Sequence, residues 1–257
     1  MERKMASRCL HLLKRIELEI NTHCNKEDDY GVYCEYCPNS VKETIIDPPK
    51  CMEDEVYEKI IDELQDLAFN GRISYHFYGE PLLHKKIEAI IRYSADKLPK
   101  AEKVLYTNGD RLTDLKYDGL IKSGIDIIAV SKHKHMKEHI PSRAKQVVLN
   151  KYNITNRGGV FGNSESLTTP CYAFNHRLVV AYNGDVLLCY EDAKRETVLG
   201  NIKDKSISEI WSSEKSRRIR KNLALGRRDL YVPCKRCNNT AHSRLNQVHV
   251  YDFKKIF

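Results

Sequence analysis

Cys34-Glu35-Tyr36-Cys37 is a C-x-x-C pair, and Cys24 stands ten positions upstream of it in the same predicted loop. Thiolate sulfur binds soft metals, and this loop has two chemical readings. The pair plus the third thiol or His23 can hold a tetrahedral structural zinc ion. Alternatively, the three thiols can hold an iron–sulfur cluster completed by one non-protein ligand. A second set, Cys171, Cys189, Cys234 and Cys237, supplies four thiolates that suit a closed [4Fe–4S] cluster or an all-thiolate zinc site equally well. Spacing does not choose the metal. Cys9 and Cys51 are left over and read as a buried thiol and a loop thiol without a catalytic task.

These thiols must be positioned by regular elements, and the chain supplies them in alternation. Residues 15–21 read R-I-E-L-E-I-N, a strand pattern with one apolar face. Strands are also predicted at 73–78, 104–107 and 125–131, with a further candidate at 146–150, and helices at 54–68, 87–93 and 115–123. Such βα units imply an α/β fold with a parallel sheet, doubly wound or curved into a full or partial barrel. In either architecture chemistry belongs at the strand C-termini. Those ends carry Asn21-Thr22-His23-Cys24, Tyr78-Gly79-Glu80-Pro81, Thr107-Asn108-Gly109-Asp110 and Ser131-Lys132-His133. Past the polar stretch at 162–169 the pattern changes to a β-hairpin, 177–181 and 186–189, around Tyr182-Asn183-Gly184-Asp185. Helical segments at 206–211 and 215–225 follow, so a second domain is expected to begin near residue 165.

Composition narrows the class. With 257 residues, 41% hydrophobic and 30% charged, the chain reads as a globular protein without a membrane-spanning run. Arg8, Lys14 and Arg15 interrupt the N-terminal segment, so no signal core forms and a cytoplasmic location is expected, where thiols stay reduced. The net charge of +8 is all C-terminal: from Cys171 onward 17 Lys and Arg face 9 Asp and Glu. The basic stretch 215–228 reads as a solvated helix face in preference to a surface for nucleic acid or a phosphorylated substrate, because it lacks interleaved aromatics.

The combined motifs resemble the radical S-adenosylmethionine (AdoMet) enzymes whose C-terminal domain is a twitch domain, a shortened SPASM domain with one auxiliary cluster. The resemblance rests on the Cys24/Cys34/Cys37 loop, Cys37-Pro38-Asn39-Ser40, Tyr78-Gly79-Glu80-Pro81 and Tyr106-Thr107-Asn108-Gly109-Asp110. It also rests on Asn156-Arg157-Gly158-Gly159, the four C-terminal cysteines, and Gly200-Asn201-Ile202 followed by Ile210-Trp211. One feature departs from the family's C-x3-C-x2-C motif: nine residues separate Cys24 from Cys34. The acidic, turn-forming segment 27–32 is expected to loop out while the three sulfurs still converge.

The resemblance implies a partial (β/α) barrel over 1–165 and a small α+β twitch domain over 166–257. Two [4Fe–4S] clusters are implied, one on Cys24, Cys34 and Cys37 with AdoMet on its fourth iron, the other on Cys171, Cys189, Cys234 and Cys237. Tyr78, Gly79 and Glu80 match the family segment that receives the AdoMet amino group, and Asn108 and Ser131 are expected near its ribose or carboxylate. Arg157 and Glu191 are expected to face a small-molecule substrate in the cleft between the clusters, and His133 is the best placed histidine for a base. The implied activity is hydrogen abstraction from a carbinol and oxidation of an amino-polyol or sugar-like alcohol to a ketone, the auxiliary cluster accepting an electron and a flavodoxin or ferredoxin supplying reductant. Two other readings remain at this point: an epimerase or other modifying enzyme using the same machinery, and a zinc protein that holds nucleic acid with its basic C-terminus.

Overall fold

The alternating segment at the start of the chain forms the central strand. In the computed structural model, which describes residues 10–31, 33–132, 140–148 and 154–244, β1 (Arg15–Leu18) lies parallel between β2 (Arg72–Tyr75) and β6 (Arg177–Val180). On the β2 side follow β3 (Glu102–Thr107), β4 (Ile127–Lys132) and β5 (Lys145–Val148), all parallel. On the β6 side the sheet continues antiparallel into β7 (Asp185–Leu187) and β8 (Val198–Asn201). The order β5-β4-β3-β2-β1-β6-β7-β8 does not close on itself, so the α/β architecture is a partial barrel. Its helices are α1 (Lys26–Tyr30), α2 (Asp54–Asp66), α3 (Ile87–Lys97), α4 (Asp114–Lys122), α5 (Ile207–Ser212), α6 (Glu214–Ala224) and α7 (Val232–Arg236). None of them is long and apolar enough to cross a membrane.

Period-two alternation splits β1 between two environments. Ile16 and Leu18 join one core cluster with Ile60, Ile61 and Leu64 of α2 and Ile87, Ile91 of α3. The alternate residues Glu17 and Glu19 point to the other side of the sheet, yet they are 7% and 1% exposed. Two buried carboxylates would be costly alone. Arg177 pairs with Glu17 at 3.1 Å and Arg195 with Glu19 at 2.7 Å, both from the C-terminal part of the chain. The polar face of the strand pattern is therefore the interior of the partial barrel rather than a solvent face.

The expected hairpin is present as β6 and β7, and it extends the barrel sheet from β1 instead of standing apart from it. The same core cluster also runs on into Phe174, Leu178, Trp211, Ile219 and Leu223. Several strands differ from their predicted bounds by a few residues, β2 and β5 among them. β2 stops at Tyr75 because the backbone beyond it crosses to the cysteine loop, where the Glu80 N–H donates to the His23 carbonyl at 2.7 Å. Gly79 makes that crossing possible: a Cβ there would lie 2.0 Å from the Asn21 carbonyl oxygen. β5 is observed over Lys145–Val148, and the predicted extension to residues 149–150 lies outside the described residues.

Candidate active site

Cys24, Cys34 and Cys37 leave the C-terminal end of β1 on one loop. Burial first, with charge on Cys37 adding to it, pushes the Cys24 thiol up to about 12 and the Cys34 thiol up to about 11. Left alone the thiols stay protonated, whereas a bound metal centre draws the protons off. Among the described residues, no three His, Cys, Asp or Glu side chains converge closely enough to ligate a single metal ion. Charge on Cys37 raises both Cys24 and Cys34, and charge on Cys34 raises Cys24, so the three sulfurs are electrostatic neighbours. His23, the other ligand considered for zinc, turns to Asp28 at 2.9 Å.

The long spacer does not loop out. It winds into α1, which docks on the end of β3 through Asp110. The Lys26 ammonium lies 2.7 Å from the Asp110 carboxylate with both side chains buried, and Asn25 Nδ2 and the Tyr30 hydroxyl donate to the same carboxylate. Arg111 adds an ion pair to Asp29 at 2.7 Å. The sequence between the first two cysteines is thus a clamp, tied by charge pairs in both directions to the neighbouring strand end.

Glu80 joins three strand ends above the sheet. Its Oε1 accepts from the Leu82 N–H at 3.0 Å and the Thr107 hydroxyl at 2.6 Å, and its Oε2 accepts from the Asn108 N–H at 2.7 Å. Burial raises this carboxyl to about 7 against the pull of those donors. Asn108 in turn points its Nδ2 at Asn25 Oδ1, 2.9 Å away, and at Cys24 Sγ, 3.9 Å away. The Tyr78 hydroxyl donates to the Tyr190 carbonyl at 2.6 Å, and Asn39 donates to the Tyr78 carbonyl at 3.1 Å. Tyr78, Gly79, Glu80 and Asn108 therefore gather around the first thiol set. Ser131 sits near the end of β4, and His133 lies outside the described residues.

The second set of thiols shares one cavity. Cys171, Cys189, Cys234 and Cys237 line it together with Glu191, Arg228, Asn239 and His242. Burial raises Cys189 and Cys234, and Cys237 reaches about 12. Four thiols around one space, with the buried Arg228 guanidinium in its wall, match the donor set of a closed four-iron cluster.

Arg157 and Glu191 lie between the two sets without pairing to each other. Glu191 is 4% exposed and accepts from Asn239 Nδ2 at 2.8 Å and the Thr155 hydroxyl at 2.6 Å. Arg157 holds a left-handed backbone, φ 50°, and its buried Nε has no hydrogen-bond partner. Burial opposes its charge, while Tyr78, Glu191 and Cys37 favour it and move the pKa up overall. An unspent donor that senses both Cys37 and Glu191 is placed to hold a polar molecule between them. Sequence reasoning missed Asn25, Thr155 and Asn239, which orient these groups. Asn25 directly follows Cys24, a signal that was there to use, whereas nothing in the spacing joins Asn239 to Glu191.

Comparison with known proteins agrees with this geometry. Residues 19–146 match the Radical SAM superfamily, and residues 171–238 match the SPASM iron-sulfur cluster-binding domain. The S-adenosyl-L-methionine-dependent 2-deoxy-scyllo-inosamine dehydrogenase of Niallia circulans is 35% identical over 247 residues, covering 90% of this chain and 94% of the relative. The crystal structure of BtrN in complex with AdoMet and 2-DOIA superimposes with a TM-score of 0.80 at 34% identity, covering 90% of this chain and 95% of that one. BtrN in an open conformation gives 0.73 at 33% identity over 91% and 96% of the two chains. AdoMet-bound anSMEcpe shares the fold alone, at 14% identity and a TM-score of 0.58, over 81% of this chain and 83% of that one. The zinc reading is set aside by these matches, and the chain belongs to the radical SAM superfamily, with a SPASM-type iron–sulfur domain at its C-terminal end.

Proposed function

We propose that this enzyme oxidises the carbinol of an amino-polyol or related small alcohol to a ketone, as the name of its dehydrogenase relative suggests. Cys24, Cys34 and Cys37 would hold one [4Fe–4S] cluster and Cys171, Cys189, Cys234 and Cys237 the other, dividing the chain functionally near residue 165. Bound together, the first cluster and AdoMet would supply the hydrogen-abstracting 5′-deoxyadenosyl radical, and the second cluster would supply an electron acceptor. The chain's own contribution is placement. Glu80 and Asn108 fix the strand ends around the first set, and Gly79 keeps that segment against Asn21. The free Nε of Arg157 would orient the substrate hydroxyl, and the Glu191 carboxylate, held by Asn239 and Thr155, would accept a hydrogen bond from a substrate hydroxyl or amine. Reduced thiol sets and a one-electron donor such as flavodoxin or ferredoxin suit a cytoplasmic location.

The observation that carries this reading is the cavity that the four C-terminal thiols and Glu191 line together. Four protein thiolates would leave no iron for substrate, which suits that cluster to electron transfer. Epimerisation, the other enzymatic reading, requires a hydrogen donor in the cleft. Cys51 is exposed and lines a separate surface cavity with His23, Lys50 and His84, while Cys9 lies outside the described residues. Turnover of a candidate amino-polyol by anaerobically reconstituted enzyme should consume one AdoMet per product, with the product two hydrogens poorer by mass spectrometry. A product of unchanged mass would replace dehydrogenation with epimerisation. Arg157→Ala and Glu191→Ala should each lower productive turnover more than AdoMet binding.

A further inference from the structure

One stretch of chain both lines the cavity of the four C-terminal thiols and carries exposed apolar side chains. Residues 223–234 turn some side chains inward, where Leu223, Arg228, Pro233 and Cys234 line the cavity. The intervening residues face out: Leu225 is 65% exposed, Val232 50% and Leu230 45%, three of the seven large hydrophobic side chains exposed among the described residues. Arg218 and Lys221 of α6 and the residue that caps it, Leu225, follow at spacings of three and four, and all three are exposed. Arg217 and Arg227 are also exposed, whereas Arg220 and Arg228 are buried. Asp229 is the one acid between residues 217 and 232. The segment is held to α6 by the Asn222 Nδ2 bond to the Tyr231 hydroxyl, 2.9 Å, and by the Arg227 N–H bond to the Asn222 carbonyl, 3.0 Å.

We infer that the exposed apolar side chains Leu225, Leu230 and Val232, together with the exposed cations close to them in sequence, form the docking surface for an acidic one-electron carrier protein, which exchanges electrons with the C-terminal cluster through the 223–234 segment. The inference rests on the proposed oxidation, in which one electron must reach the first cluster and one must leave the second at each turnover. AdoMet, a sulfonium cation, and a secondary alcohol give methionine, 5′-deoxyadenosine, a ketone and a proton. One electron enters at the first cluster to cleave AdoMet, and one leaves the substrate radical at the second, where the oxidised carrier takes it up and becomes reduced. Three exposed apolar side chains make a small contact, the size expected of transient redox encounters. The surrounding cations set the encounter rate and its salt dependence. This use accounts for the C-terminal excess of positive charge better than a merely solvated helix face does.

The test uses the full-length chain with Cys24, Cys34 and Cys37 changed to Ala, so that the C-terminal cluster is the only one present. Iron and sulfide are measured first. Fewer than about four irons per chain overturns the proposed function and this inference with it. With four irons present, the cluster is reduced and mixed in a stopped-flow instrument with an oxidised acidic flavodoxin at low and at high salt. Changing Arg218, Lys221 and Arg227 to Glu should lower the second-order rate at least about tenfold at low salt, with the difference vanishing at high salt. Leu225→Ser should slow exchange at both. Oxidation by a small neutral quinone should be unchanged in every variant. An unchanged flavodoxin rate, or an equal loss with the quinone, overturns the inference while leaving the proposed function intact. So does tight binding of single-stranded RNA abolished by the same substitutions without effect on electron exchange.

Discussion

Glu80 shows what a buried carboxylate costs and what it secures. Its three donors all favour the charged form, yet burial outweighs them and sets the carboxyl near 7, above its value of 4.5 in an unfolded chain. Between those values the folded protein binds a proton that the unfolded chain has already released. Folding stability therefore falls as pH rises from 4.5 to about 7, by roughly 3 kcal/mol over the window, and is level above it. The Thr107 hydroxyl can accept from a neutral acid or an amide as readily as it donates to a carboxylate. Glu80→Gln should consequently remove this part of the pH dependence, at the cost of the bond from the Leu82 N–H, which an amide nitrogen cannot accept. Urea denaturation of both proteins from about pH 4.5 to 8 measures it, and parallel pH profiles for the two would refute the assignment.

Among the elements, α1 is the one that departs most from its predicted form. Its acidic residues read as a solvent loop because the groups it docks on, Asp110 and Arg111, lie some 80 positions away on the end of β3. No local pattern announces a contact of that separation. The βα alternation was legible for the opposite reason: α2 and β1 carry their burial in their own periods of about 3.6 and 2. The same contrast holds at the site. Cysteine spacing exposed both thiol sets, and Gly79 and Glu80 were visible at a strand end, but Thr155 and Asn239 support Glu191 only because the fold brings them together. Asp110→Ala tests the clamp, since it leaves the Lys26 ammonium buried without its ion-pair carboxylate. Breaking one partner of such a pair costs about 3–5 kcal/mol. The variant should unfold at lower urea and should lose iron from the N-terminal cluster while keeping iron in the C-terminal one. Equal retention in both would show that α1 does not hold the cluster loop.

For the molecule as a whole, the boundary expected near residue 165 separates the two thiol sets more cleanly than it separates two folding units. β1 is central because β6 occupies its second edge, and the interior carboxylates Glu17 and Glu19 are neutralised by Arg177 and Arg195 from beyond that boundary. Removing residues 166–257 would expose a strand edge, strip apolar partners such as Leu178, Val180 and Trp211 from the shared core, and leave two barrel carboxylates without their cations. Each loss alone is tolerable in a domain with stability to spare, but all three fall on one strand. A chain ending at residue 165 should therefore be aggregated or lack a cooperative transition, and the full-length apoprotein should unfold in one step by both circular dichroism and tryptophan fluorescence. The lone tryptophan, Trp211, reports from the C-terminal part, while circular dichroism reports from the whole sheet. Two separated transitions, or a soluble 1–165 fragment with a sharp melt, would show instead that the barrel stands without the strands that complete it.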